Sequence, residues 1–245
     1  MKKQMIYKLL LLTSIAVFFA GMSFQGQSQK KPVKTLLKAE RVLPIVDFDA
    51  LEQNSSELAK QRKKGSRYDR KNSQPIEESS NVTSRQLNNH WSEGMSAIPI
   101  TDSDVVLIGG VLSAKANLSN DKSGVYSEFG IQVEELLKSE QSIQSGDTIP
   151  VERYGGAVRF RSGYIQRYEV SGHGMPQLGQ RYLFFLKRLD NEPSFKIITA
   201  YALLRPTIMP LDGSIVEAGS QEYPFDKYQG LETSTFLQLV KATIN

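Results

Sequence analysis

Asp104-Val105-Val106-Leu107-Ile108-Gly109-Gly110-Val111-Leu112 is the stretch on which the fold turns. It is apolar at both parities, which describes a strand covered on both faces, and the glycine pair at its centre permits a bulge or a sharp coil. A strand bent in this way can serve two sheets of a small barrel. Downstream, residues 125–137 alternate: Phe129, Ile131 and Val133 point one way, and Glu128, Gln132 and Glu134 the other. Ser145-Gly146-Asp147 turns the chain into Thr148 to Tyr154, where Ile149 and Val151 share a face. Residues 181–188 and 195–204 are two strongly apolar strands joined by Asp190-Asn191-Glu192-Pro193, and Asp212-Gly213 marks a further turn. Residues 236–244 predict a terminal helix with an apolar stripe of Phe236, Leu239 and Val240, in which Thr235 and Gln238 fit a capping box. A compact, mainly β barrel of five to seven antiparallel strands closed by one helix is expected over residues 101–245.

Outward from this domain, the chain changes character. Residues 29–100 are polar, with no sustained period of 2 or 3.6, and predict a flexible or weakly ordered arm. Within it Ile45, Val46, Phe48, Leu51 and Leu58 could form a short helix or a latch on the domain. Lys60, Arg62, Lys63, Lys64, Arg67, Arg70 and Lys71 face the single acid Asp69, a run that reads either as a solvated linker or as an attractor for anionic partners. Residues 1–28 carry Lys2, Lys3 and Lys8, an apolar run from Leu9, and small residues before Gln29, the layout of a cleaved export signal. The 14 residues from Leu9 to Met22 are short for a membrane span, so no span is expected after cleavage.

This partition reinterprets the charge. The whole chain is at +4, but three lysines belong to residues 1–28. The arm holds 13 basic and 9 acidic groups, whereas residues 101–245 hold 14 and 17, leaving the domain at −3. A net-acidic domain is a poor partner for a phosphate backbone, so nucleic acid is not expected to be the main ligand. The absence of cysteine excludes a disulfide framework, a thiolate zinc site and a cysteine nucleophile.

The order of Asp104 to Val111, the strand ending Val133-Glu134-Glu135-Leu136-Leu137-Lys138, Gly146-Asp147-Thr148-Ile149 and Gly179-Gln180-Arg181-Tyr182-Leu183-Phe184-Phe185-Leu186 resembles the tissue-inhibitor-of-metalloproteinase and netrin-type module, an OB-fold barrel. The chain also resembles exported bacterial proteins of unassigned function that place Gly-Ser-Arg-Tyr-Asp, here Gly65 to Asp69, in a polar arm before the same strands. The resemblance covers residues 104–188 and implies an OB-like fold. The inhibitors act through an amino-terminal cysteine, which this chain lacks, so it implies no site residue.

Catalytic signatures are sparse. There is no G-x-S-x-G, P-loop, H-E-x-x-H or G-x-G-x-x-G, and Gly172-His173-Gly174 reaches Gln177 where a dinucleotide loop needs its third glycine. Glu134 and Glu135 are strand neighbours and point to opposite faces. His90 and His173 are the sole histidines, and no spacing predicts a metal centre or a cofactor. The richest surface is a hairpin read with a two-residue Ser162-Gly163 turn. That register pairs Phe160 with Ile165 and Val158 with Arg167 on one face, and sets Arg159, Arg161, Tyr164 and Gln166 on the other, with Tyr168 beyond.

The function expected is an exported, non-enzymatic binding or envelope-associated module: periplasmic, cell-surface or secreted, monomeric, binding an envelope protein or an anionic polymer. One alternative is a hydrolase using His173 as general base. Another is single-stranded nucleic-acid or acidic-glycan binding through the Arg/Tyr hairpin face. Asn54, Asn81 and Asn117 lie in glycosylation-type triplets.

Overall fold

The computed structural model describes residues 42–49, 55–70, 73–79, 83–87, 94–139, 143–190, 193–213 and 224–244. The expected signal peptide, and Leu51, Asn54, Asn81, His90 and Trp91 of the arm, lie outside the described residues. Ten strands are present among those described: β1 (Ile45–Asp47), β2 (Ser84–Leu87), β3 (Val105–Leu118), β4 (Val125–Ser139), β5 (Thr148–Tyr154), β6 (Gly156–Arg159), β7 (Ile165–Val170), β8 (Arg181–Arg188), β9 (Phe195–Leu203) and β10 (Ile208–Pro210). Helix α1 spans Ser55–Gly65 and α2 spans Thr233–Ile244, with 3₁₀ turns at Ser66–Tyr68 and Pro224–Tyr228.

The fold is mainly β, as expected. β3, β4, β5, β9 and β8 are hydrogen-bonded in that order, and β8 returns to β3, so five strands close a circuit. Every pairing in it is antiparallel except β5 with β9, where Val151 lies against Phe195 and Glu152 against Lys196. The burial of β3 follows its two-parity pattern. Val105, Leu107 and Val111 fill the barrel interior with Phe129, Ile131, Val151, Phe184 and Ile197. Val106 and Ile108 pack outward with Leu183, Phe185 and Tyr201 beneath Phe236 and Val240 of α2. The ladder is irregular between Ile108 and Gly109, where a Cβ on Gly109 would sit 2.5 Å from the Gln132 carbonyl oxygen. Glycine therefore permits the close approach of β3 and β4 at this bend.

Helix α2 begins three residues before the sequence-based start. Its N-terminal N–H groups are capped by the Glu232 carboxylate, which accepts from the Thr235 N–H at 3.0 Å and from the Thr235 hydroxyl at 2.8 Å. The Ser234 and Thr235 hydroxyls hold that carboxyl down to about 2. Thr235, read as the cap, instead lies inside the helix.

A second sheet of order β1-β6-β7-β2 lies over the far half of β3 and β4. Both outer strands come from the region read as a flexible arm. β1 adds parallel to β6 and β2 adds parallel to β7. Phe48 packs on Phe160 with ring centroids 5.3 Å apart, and Ile76 is buried under the hairpin. Strands of three and four residues are too short to print a period, so the sequence gives no warning that the arm completes a sheet. Among the described residues no helix is long and apolar enough to cross a membrane.

Candidate functional site

The hairpin connecting β6 and β7 has a three-residue loop. The Phe160 N–H donates to the Tyr164 carbonyl and the Gly163 N–H to the Phe160 carbonyl, both at 2.9 Å, with Gly163 at φ +84°. Three-residue loops of this kind need a residue in the left-handed region, and glycine supplies it. Relative to a two-residue turn the pairing slips by one, so Arg159 faces Ile165, Val158 faces Gln166 and Gly156 faces Tyr168. A one-residue slip exchanges the faces of a strand.

The five residues expected on one surface are consequently divided. Gln166 and Tyr168 are buried, Tyr164 is half-buried against the cluster beneath the hairpin, and Arg159 and Arg161 are exposed. In the orientation that satisfies its amide, Gln166 donates to the Glu77 carbonyl at 3.2 Å and accepts from Arg85 Nε at 2.9 Å. Burial pushes the Tyr168 hydroxyl up to about 12. The exposed guanidiniums meet carboxylates of the arm, Arg161 with Asp49 at 2.8 Å and Arg159 with Asp47 at 3.5 Å. The hairpin thus uses its arginines to hold the chain's own β1 segment.

His173 lies in a loop, as its glycine neighbours predict, but not as an exposed base. Burial, then the positive charges of Arg153 and Lys196, hold its imidazole well below the ordinary histidine range, so it is neutral at physiological pH. Beside it is a fully buried ion pair. Arg153 Nη2 donates to Asp212 Oδ1, which also accepts the Gly174 N–H at 2.9 Å. Burial keeps the Asp212 carboxyl above the usual range against the pull of Arg153, Thr199 and Gly174. With the Gly213 N–H donating to the Gly172 carbonyl at 2.9 Å, the pair fastens two loops across the end of β5. The arrangement is a structural staple, and a neutral imidazole flanked by cations is poorly placed to accept a proton as a base forms charge.

The most elaborate constellation lies on the outer face of β4 and β5. Two directly paired rungs place Tyr126 opposite Tyr154 and Glu128 opposite Glu152. Like charges opposed across a ladder repel, and Glu152 is completely buried, so this face demands cations. They come from the end of α1 and the turn after it. Arg67 Nη2 donates to both Glu152 oxygens, at 2.9 and 2.6 Å. Lys64 Nζ lies 2.6 Å from Glu128 and 3.8 Å from Glu152, bridging the two acids.

Tyr68 donates its hydroxyl to Glu152 at 2.9 Å and stacks on Tyr126, with ring centroids 4.2 Å apart and planes inclined by 6°. Burial, then the Glu152 charge, raises the Tyr68 hydroxyl above its ordinary range. The segment is also held by backbone. The Asp121 N–H donates to Asp69 at 3.0 Å, the Arg70 N–H to Ser123 at 2.8 Å, and the Asn120 side chain to the Arg62 carbonyl at 2.7 Å. A Cβ on Gly124 would lie 2.5 Å from the Tyr68 carbonyl oxygen, so glycine is needed for the strap to lie this close.

Sequence reasoning singled out Gly65 to Asp69 by resemblance and the basic run by composition, but not the acids that receive them. Alternation along β4 does place Glu128 outward, and that was the available signal. Asn117, in a glycosylation-type triplet, is buried and donates to Glu128 at 3.1 Å, which removes it from the surface. Among the described residues no cluster of three or more histidines and carboxylates is placed to hold a metal ion. Comparison with protein-family models and with curated proteins finds no match for this chain.

Proposed function

We propose that this chain is an exported, non-enzymatic β-barrel of OB-like topology that acts as a polypeptide-binding module of the cell envelope or exterior. The OB-like reading is supported by the five-strand circuit, in which a long bent first strand pairs with both its second and fourth neighbours and the third and fifth strands run parallel. The tissue-inhibitor and netrin resemblance belongs to the same proposal, because its matching stretches fall on β3, β4, the entry to β5, and β8.

The observation that carries the binding function is that the domain already holds three separate stretches of its own N-terminal region, two extended and one helical. Two are added as edge strands and the third is captured through ions and stacked rings. Strand addition and cation capture are general modes of peptide recognition. The hydrolase alternative loses support from the neutral, cation-flanked His173. An anionic-ligand face on the hairpin loses support from the pairing of Arg159 and Arg161 with Asp47 and Asp49.

A photo-crosslinking residue placed at exposed Ile165 or Leu178 in the full chain, expressed in growing cells, tests the module. The exported fraction is expected to carry a chain beginning near Gln29 and discrete protein adducts from at least one position. A chain retained inside the cell, or one that yields no discrete adduct from either position, sinks the reading.

A further inference from the structure

We infer that the outer face of β4 and β5 is a recognition site for a partner polypeptide that presents adjacent arginine and tyrosine, and that residues 62–70 are its resident internal ligand. This rests on the polypeptide-binding reading and assigns it a location and a ligand chemistry. The acids are paired directly across the ladder, so without a cation the face is electrostatically unfavourable. The barrel itself sets one cation in the same row, Lys115 of β3 opposite Glu128, but the cations ion-paired with these acids come from elsewhere. They arrive on a segment more than 60 residues distant in sequence, through Lys64 to Glu128 and Arg67 to Glu152.

Recognition of this segment is mostly by side chains. A guanidinium contacts both oxygens of a desolvated carboxylate, and the next residue supplies a ring that stacks on Tyr126 while its hydroxyl reaches the same carboxylate. Adjacent arginine and tyrosine therefore satisfy one acid from two directions. The site specifies a residue pair rather than bulk positive charge, since a lysine-rich segment offers no ring to stack on Tyr126. A partner must displace the strap. A tethered ligand competes at an effective concentration on the order of millimolar, so the strap screens out weak cationic sequences and admits a segment that also engages other parts of the domain.

The test uses the full chain and a fluorescent peptide with the sequence of residues 62–70, read by anisotropy. The Arg67→Ala/Tyr68→Ala chain is expected to bind this peptide at least about tenfold more tightly than the unaltered chain, because the internal competitor is weakened. Adding Glu152→Gln is expected to remove that gain. Replacing the peptide's residues corresponding to Arg67 and Tyr68 with alanine is expected to do the same. An opened chain that unfolds cooperatively in urea yet binds no more tightly than the unaltered one overturns the inference, as does equal binding of a scrambled peptide. Either result leaves the crosslinking test of the binding module untouched.

If the opened chain does not fold, a lockable strap decides the matter. A Cβ at Gly65 would lie 3.2 Å from Asn120 Cγ, so Gly65→Cys/Asn120→Cys can bridge in a chain with no other cysteine. At millimolar peptide the reduced form must show amide shifts along β5 that the oxidised form lacks. Identical spectra overturn the inference.

Discussion

Arg67 Nη2 contacts both carboxylate oxygens of Glu152, at 2.9 and 2.6 Å, across 85 residues of sequence. Glu152 has no exposed surface, whereas the Arg67 side chain retains about a quarter of its own. The asymmetry matters energetically. Loss of the arginine strands a buried charge, whereas loss of the acid leaves a cation that water can reach.

Glu152→Gln is therefore expected to lower stability by about 2 kcal/mol, the scale of a hydrogen bond to a charged group. Glu128→Gln, on a partly exposed acid, is expected to cost less than about 1 kcal/mol. Urea denaturation of both variants checks the order, and equal midpoints would contradict it.

The Arg153–Asp212 staple predicts a larger and partly reversible effect. Arg153→Met leaves Asp212 buried without its counter-charge and is expected to cost about 3–5 kcal/mol. Arg153→Met/Asp212→Leu is expected to recover most of that loss, as measured by the urea midpoint. A double variant as unstable as the single one would show that the pair does more than neutralise itself.

Phe236 is buried completely and packs on Tyr201 with ring centroids 4.6 Å apart. Phe236→Ala is expected to cost about 3–5 kcal/mol. The helix is also expected to loosen first, as faster amide exchange in residues 233–244 ahead of β3. Uniform exchange across both elements would argue against an independently loosening helix.

Two glycines separate backbone strain from collision. Gly163 at φ +84° has open space around it, so Gly163→Ala carries only the left-handed penalty, roughly 1 kcal/mol. At Gly155, φ +109°, an added Cβ would lie 2.9 Å from the Tyr168 carbonyl oxygen, which cannot swing away as a side chain can. Gly155→Ala is expected to cost more than Gly163→Ala, and thermal melting of the two proteins ranks them.

His173 sets a pH dependence with a definite sign. Its folded pKa lies below the unfolded value near 6.5, so its contribution is fully present above that pH. The contribution falls as pH drops from about 6.5 towards the folded pKa, at up to about 1.4 kcal/mol per pH unit. His173→Leu is expected to flatten the stability profile between about pH 6.5 and 5. An unchanged slope would show that other groups govern this range.

What the sequence reveals depends on how each contact is encoded. β3 is legible because burial on both faces is a property of consecutive residues: Val105 and Leu107 look inward while Val106 and Ile108 look out. The hairpin is half legible. Ser162-Gly163 marks the turn, but whether Arg161 belongs to the loop is settled by one left-handed residue, and that choice buries Gln166 and Tyr168. The strap is least legible, since nothing near Arg67 announces Glu152. Composition records the cations of residues 60–71 as a polar run, and pairing them with acids requires the barrel to exist first.

The two edge strands drawn from the N-terminal region have a consequence for the order of events during synthesis. Residues 45–47 and 84–87 emerge well before their partners at 156–170, and Arg67 well before Glu152. Until the hairpin has been made, roughly the first two-thirds of the chain has nowhere to dock those segments. Docking of the N-terminal region thus has to wait for the hairpin, and so follows β3, β4 and β5 in the order of synthesis. A chain cut short before residue 150 lacks both hairpin strands and Glu152, and so leaves two strand edges and Arg67 without their partners.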